Sequence, residues 1–166
     1  MCVFRPLREN GPALLVPAAW TVAAGTALGV VSTHALFVAH VVMSVLLVAF
    51  VVASWGEMET GVLAAWRRVI LVGTPVTLAG VVGFLLEREP LLAVALYGWI
   101  LLPAAGFVPT ARRVDSGAAV YLGGATCCVA GAFAVLLADT STGVAAALAL
   151  VAVGQTAGIL DATLRR

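Results

Sequence analysis

The sequence predicts an all-α, multi-pass membrane protein built as a single bundle of six transmembrane helices. Of its 166 residues, 63% are hydrophobic and only 10% are charged, whereas a soluble domain has about a quarter of its residues charged. The apolar residues also fall into six runs that are each long enough to cross a bilayer. We therefore expect lipid to surround most of residues 1–166, which form one transmembrane domain.

Six apolar runs define the predicted spans, since about 20 mostly apolar residues are needed to cross about 30 Å of hydrocarbon. The spans cover residues 12–31, 35–54, 69–86, 90–110, 117–138 and 143–160. Lipid offers no hydrogen-bond partner to the backbone, so separate runs of this length must be helical. The ten-residue alternating segments of a membrane barrel are absent.

The first three spans differ in what precedes them. Residues 12–31 form a longer apolar run than the core of a signal peptide, so we expect this span to be retained. Residues 35–54 follow the short connection "STH". Residues 69–86 follow "WGEMETGVLAAWRR", in which Val62, Leu63 and Trp66 share one helical face. This pattern predicts an amphipathic turn at the membrane interface before the third span.

The last three spans are reached through the connections "ERE", "RRVDS" and "DTST". Connections this short make consecutive helices antiparallel neighbours. They leave no room for a soluble domain between the spans, so the predicted protein is confined to the bilayer and its two surfaces.

The arginines assign a side of the membrane to each end of the bundle. With six spans, eight of the nine arginines fall on one side, and only Arg88 falls on the other, between Glu87 and Glu89. The eight are Arg5, Arg8, Arg67, Arg68, Arg112, Arg113, Arg165 and Arg166. Basic residues concentrate in cytoplasmic loops, so we expect both termini in the cytoplasm and the protein in the cell membrane. A net charge of +1 without a basic run excludes nucleic-acid binding.

Small residues recur on one face of several spans. They are Gly25 and Gly29 in the first span, Gly73, Thr77 and Gly80 in the third, Gly117, Tyr121, Gly124, Cys128 and Gly131 in the fifth, and Gly154 and Gly158 in the sixth. Such faces let helices approach closely. The interpretations that stay open are tight packing within the bundle, an interface with a second copy or another membrane subunit, or the wall of a narrow lumen.

Prolines interrupt two of the predicted spans. Pro75 frees the carbonyl of Leu71 and Pro103 frees that of Trp99, because proline has no N–H to donate to position i−4. A carbonyl freed at membrane depth either accepts a hydrogen bond from a hydroxyl of a neighbouring helix or lines a cavity. Interrupted helices also mark the substrate path in many transporters.

Polar side chains inside the spans are the candidate functional groups. In the second span Thr33, His40 and Ser44 share a face, whereas His34 lies about 100° away near the headgroups. An ionisable group within a span is a functional hypothesis by default. The alternative for His40 is a neutral imidazole hydrogen-bonded to a neighbouring helix, for example to Thr77, Tyr97 or Tyr121. The predicted binding or path-lining residues are His40, Thr33, Ser44, Thr77, Tyr97 and Gln155.

Several chemistries are disfavoured by the residues at hand. Both histidines lie on one helix, about 120° apart, so one chain does not clamp a haem between them, and haem ligation through His40 alone is the remaining option. No trio of zinc ligands is present. No histidine follows His40, so Ser116 and Ser141 lack the partner that a membrane serine hydrolase requires. We expect no metal and no cofactor, and catalysis is not favoured.

The leading functional hypothesis is a small permease or channel-like protein for a small solute or ion. It depends on the buried polar residues and the proline-broken helices. The alternative is a non-catalytic membrane subunit or assembly factor that docks a partner through its glycine faces. A third hypothesis is a haem- or quinone-binding redox protein with His40 as the contact. The sequence indicates no particular substrate.

Overall fold

The computed structural model describes residues 4–54, 56 and 61–164. This part of the chain is helical, without a β-strand. The helices are α1 (Phe4–Ala27), α2 (Thr33–Ser54), α3 (Gly61–Leu85), α4 (Glu89–Ala111), α5 (Ala118–Leu137) and α6 (Ser141–Leu164). Among the described residues, α2 to α6 are long and apolar enough to cross a membrane, and α1 has the shorter apolar segment Leu14–Ala27.

Gly29 ends the first helix and does not pack against another one. Its φ of 73° is left-handed, and the N–H of Val30 donates to the carbonyl of Gly25 at 2.9 Å. This pair of features is a Schellman C-cap. A Cβ added at Gly29 would meet nothing within 4 Å, and Gly25 faces Val31 of the same turn. The interpretation of these two glycines as a packing face was therefore wrong, because the helix ends before the motif is complete.

The third helix begins earlier than predicted. It runs unbroken from Gly61 to Leu85, so the predicted separate turn at the interface is wrong. Trp66 instead packs onto α4, where its ring centroid lies 5.5 Å from that of Phe107 and its indole N–H donates to the Thr110 hydroxyl at 3.2 Å. Of this apolar face, Trp66 therefore packs within the chain, whereas Leu63 is exposed. Of the preceding "WGEMET" segment, Gly56 alone belongs to the described residues.

Neighbouring helices follow the order α2, α3, α4, α5, α6, α1 around the structure, and α4 also touches α6. The last helix thus packs against the first. Contact between α1 and α2 is the weakest in this series, and we call the place between them the open seam. Where α1, α4, α5 and α6 meet, the interior is filled by large side chains, and Ile100, Phe107 and Val151 have no exposed surface.

Glycines allow the close approach of α4, α5 and α6. A Cβ added at Gly154 would lie 2.5 Å from the Cβ of Cys127 and 2.9 Å from the carbonyl oxygen of Gly124. A Cβ at Gly158 would lie 2.5 Å from the ring of Phe107, and Gly73 of α3 is covered by Trp99 in the same way. The small-residue faces of α3, α5 and α6 therefore pack inside the chain, and self-association through them stays a prediction.

Charged residues separate to the two ends of the helices. Arg67 and Arg68 lie near the start of α3, at the same end as Arg112 and Arg113 after α4, because consecutive helices are antiparallel. We call this the arginine-rich end. The opposite end, which we call the acidic end, carries Glu87, Arg88, Glu89 and Asp139. Arg165 and Arg166 lie outside the described residues, as do the side chains of Arg5 and Arg8.

Candidate functional site

Gln155 joins three helices at membrane depth. Its side chain is buried, with 2% of its surface exposed. The indole N–H of Trp20 in α1 donates to Oε1 of Gln155 at 2.9 Å, and Nε2 of Gln155 donates to the backbone carbonyl of Trp99 in α4 at 2.9 Å. The side-chain oxygen and nitrogen are thus both paired with groups of other helices.

The Trp99 carbonyl is free because of Pro103. Proline at position i+4 removes the N–H that would bond this carbonyl within α4. The sequence predicted that the freed carbonyl meets a neighbour's hydroxyl or lines a cavity. In the structure its partner is instead the side-chain amide of Gln155. The proline and the glutamine are therefore a matched pair across α4 and α6.

The hydrogen bonds continue from Trp99 into α3. The Trp99 indole N–H donates to the hydroxyl of Thr77 at 2.8 Å, and that hydroxyl donates to the carbonyl of Gly73 at 2.9 Å. Thr77 has 1% of its surface exposed. Trp20, Gln155, Trp99 and Thr77 thus form one chain of hydrogen bonds through α1, α6, α4 and α3, which we call the Gln155 network.

His40 packs against Gly80 of α3, but both His40 and Ser44 hydrogen-bond to their own helix. His40 Nδ1 lies 2.9 Å from the carbonyl oxygen of Leu36, which can only accept, so Nδ1 carries the hydrogen. The hydroxyl of Ser44 donates to the His40 carbonyl at 2.8 Å. A Cβ added at Gly80 would lie 2.9 Å from Nε2 of His40. A haem iron bound to Nε2 of His40 would therefore require α2 and α3 to separate.

The remaining predicted residues lie apart from the Gln155 network. Thr33 is exposed at the acidic end of α2 and lines a cleft there with His34, Phe37, Phe84 and Leu85. Tyr97 lines an apolar groove of about 200 Å³ between α4 and α5. The structure therefore brings Thr77 and Gln155 together, places His40 against α3, buries Ser44 with its hydroxyl bonded to α2 itself, and leaves Thr33 and Tyr97 at the periphery.

Sequence reasoning missed the tryptophans that complete the network. Trp20 and Trp99 lie well inside predicted spans, away from the interfaces where tryptophan is usually found. An indole N–H buried in lipid or protein needs an acceptor, so a tryptophan in mid-span is itself a sign of a tertiary hydrogen bond. That rule would have paired them with the few acceptors at the same depth.

The arrangement supports helix association and leaves few groups for chemistry. In the part of the chain that the structure describes, no three His, Cys, Asp or Glu side chains are grouped so as to hold a metal ion. The interior polar groups donate to or accept from each other, and the interior around them is filled by apolar side chains. Comparisons with protein-family models, curated proteins and solved structures found no match for this chain. The functional argument therefore depends on the geometry.

Proposed function

We propose that the chain crosses the cell membrane six times, with α1 as a full span and both termini in the cytoplasm. The indole of Trp20 reaches Gln155 well inside α6, which supports placing α1 at the same depth as the other spans. The arginine-rich end is then cytoplasmic by the usual distribution of basic residues.

Single cysteines test this topology in a cysteine-free background. Ser141→Cys is exposed at the acidic end and Arg113→Cys at the arginine-rich end. A membrane-impermeant maleimide is expected to label the first in intact cells and the second only after permeabilisation. Labelling of Arg113→Cys in intact cells would contradict the proposed orientation.

We further propose that the protein is a non-catalytic subunit of a membrane complex, rather than a permease. The observation that carries this proposal is the closed Gln155 network. Its side-chain groups pair with other helices of the chain, and the neighbouring interior is filled by Ile100, Phe107 and Val151. A fixed and filled interior suits a protein that acts through its outer surface.

The open seam between α1 and α2 is the surface that we assign to the partner. Along its described length α2 is the least buried of the five apolar spans. Val41, Val45, Val48 and Val52 are exposed at the i, i+4, i+7, i+11 spacing of one helical face, and the buried Leu47 lies more than 100° away from this face. A transmembrane helix of another membrane protein, packed there, would close the ring of helices that the chain itself leaves weakly closed.

Photo-crosslinking from a defined position tests the proposal. A photoreactive amino acid at Val45 is expected to give one protein adduct of discrete mass in native membranes, and the same protein is expected to copurify in stoichiometric amounts. Val153 on α6 is also exposed and serves as the matched control position. Only lipid adducts at Val45, together with purification of the chain alone, would overturn the proposal. An adduct at twice the mass of the chain would identify a second copy as the partner.

Transport is a second candidate, favoured by one observation. Pro103 leaves the Trp99 carbonyl of the continuous helix α4 to accept from Gln155 of α6, and the hydrogen bonds continue from Gln155 to α1 and from Trp99 to α3. Backbone groups that are freed inside helices often mark the site of transport. In this case the structure is a closed state, and the predicted path-lining role of His40, Thr33, Ser44, Thr77, Tyr97 and Gln155 requires the helices to separate. Flux of ions or small solutes into proteoliposomes that is abolished by Gln155→Leu would support it. Flux no greater than in empty liposomes would rule out transport as the function.

A further inference from the structure

A cleft lies at the acidic end, where α2 begins and α3 ends. Its volume is about 200 Å³, and its lining consists of Thr33, His34, Phe37, Phe84 and Leu85. Three of these five side chains are aromatic rings. The cleft is open to the outside, so a ligand can enter without a change in the packing of the helices.

The aromatic side chains that line the cleft pack against one another and against His40. The ring of Phe37 lies 6.1 Å from that of Phe84 at 71° and 6.2 Å from that of His34 at 43°. On its other side Phe84 packs edge-on against His40 at 5.3 Å. His40 in turn abuts Gly80 and is fixed by its bond to Leu36. The half-buried His40 therefore supports one wall of the cleft.

The charges around the cleft favour a cation. The segment that follows its Phe84–Leu85 wall is Glu87–Arg88–Glu89, all exposed, with a formal charge of −1. The lining itself contains no arginine. Ser32 accepts a hydrogen bond from the N–H of Ala35 at 3.1 Å, which satisfies part of the positive end of α2. The antiparallel α3 presents its carbonyl end beside it, and this end attracts positive charge.

We propose that this cleft binds an organic cation of the alkylammonium type through the rings of Phe37 and Phe84. Ring faces attract a cation within about 6 Å, and alkylated ammonium groups are the ligands that aromatic sites commonly recognise. Such a cation needs few hydrogen bonds, which suits a lining with one hydroxyl and one imidazole. A metal ion needs several donors and would find only His34. The same chemistry occurs in a free alkylammonium ion and in a choline lipid headgroup.

Choline and its neutral isostere 3,3-dimethyl-1-butanol are the probes that separate charge from shape. The full chain is reconstituted in nanodiscs of phosphatidylglycerol, and binding is followed by saturation-transfer NMR at about pH 8, where imidazole is ordinarily neutral. Saturable binding of choline, with the isostere at least several-fold weaker, is expected. Equal binding of the two probes, or no saturable binding of choline and tetramethylammonium, would overturn the proposal.

Ring variants locate the site. Phe84→Leu is expected to weaken choline binding by about two- to thirtyfold, the range of a cation–π contact, and Phe84→Tyr to retain it. Phe37→Leu is the second variant, used if Phe84→Leu shifts the thermal unfolding of the protein. Phe133→Leu, an exposed ring on α5, is the matched control. Equal losses in the control and the cleft variants would overturn the assignment. Nanodiscs of phosphatidylcholine then show whether the headgroup competes with choline, which identifies the source of the cation.

Discussion

Replacing Gln155 by leucine tests the central feature of the structure. The leucine side chain is apolar and of similar size to glutamine, and the substitution removes both hydrogen bonds of the amide. The indole N–H of Trp20 and the carbonyl of Trp99 are then left without their partners. Neither group can reach water at this depth, so the cost falls on the folded state.

The expected loss of stability follows from these two bonds. Interhelical hydrogen bonds in membrane proteins contribute on average about 0.6 kcal/mol and at most about 1.7 kcal/mol each. Two bonds give a loss of about 1–3 kcal/mol for Gln155→Leu. Ser44→Ala is the control, since its hydroxyl donates only to its own helix, and we expect a change of less than about 0.5 kcal/mol.

Pro103→Ala is expected to rescue part of this loss. Alanine at this position supplies the N–H that proline lacks, so the Trp99 carbonyl is satisfied within α4 and no longer depends on Gln155. In the Pro103→Ala background, Gln155→Leu should therefore cost about half as much, because only the bond to Trp20 is lost. The coupling energy of the double-mutant cycle measures the proline–glutamine pair directly.

Equilibrium unfolding in mixed detergent micelles, followed by far-UV circular dichroism, provides the four free energies. Circular dichroism is preferred to fluorescence because the substitutions change the surroundings of two tryptophans. A loss for Gln155→Leu that is equal in both backgrounds would refute the reasoning. It would mean that the Trp99 carbonyl does not depend on the amide.

Three further predictions concern close helix contacts, and each is checked by the same unfolding measurement. Gly154→Ala is expected to lose about 1–3 kcal/mol through overpacking, whereas Gly123→Ala, with nothing within 4 Å of the new methyl group, stays within about 0.5 kcal/mol of wild type; equal effects would contradict this packing. Gly80→Ala is expected to destabilise by pushing on the His40 ring, and adding His40→Ala should recover part of the loss; no recovery would place the strain elsewhere. Thr110→Val removes the acceptor of an indole N–H and should cost about 1 kcal/mol, and an unchanged stability would argue against that bond.

The sequence predicted the number of helices and their approximate positions, because hydropathy is a local property, but the start of α3 and both ends of α1 differ from the predicted spans. The fourth span was predicted at residues 90–110, and α4 runs from Glu89 to Ala111. The carbonyl freed by Pro103 also followed from the chain alone, since the missing N–H and its i−4 acceptor are fixed by covalent structure. Its partner on α6 did not follow.

The sequence did not predict which helices pack side by side, because no local signal specifies the neighbours of a helix in a bundle. Short connections predicted consecutive pairs, but the packing of α1 on α6 brings together residues more than a hundred positions apart, as with Trp20 and Gln155. The candidate residues were selected by type and depth, and depth alone does not make Tyr97 and His40 neighbours. At Gly29 a local pattern was misinterpreted. The four-residue spacing of Gly25 and Gly29 suggested a helix face, whereas the left-handed backbone of Gly29 ends the helix.

The pairing of α1 with α6 also links the assembly of the bundle to the synthesis of α6. In the proposed six-span arrangement α1 is synthesised long before α6, so the indole of Trp20 lacks its acceptor until Gln155 is inserted. Helices that are inserted earlier can pack in order along the chain, yet the ring has no sixth member until α6 has been synthesised. A nascent chain that stops after α5 would hold a polar N–H without its acceptor, which is the kind of exposed group by which membrane quality control can distinguish an unfinished protein from a finished one.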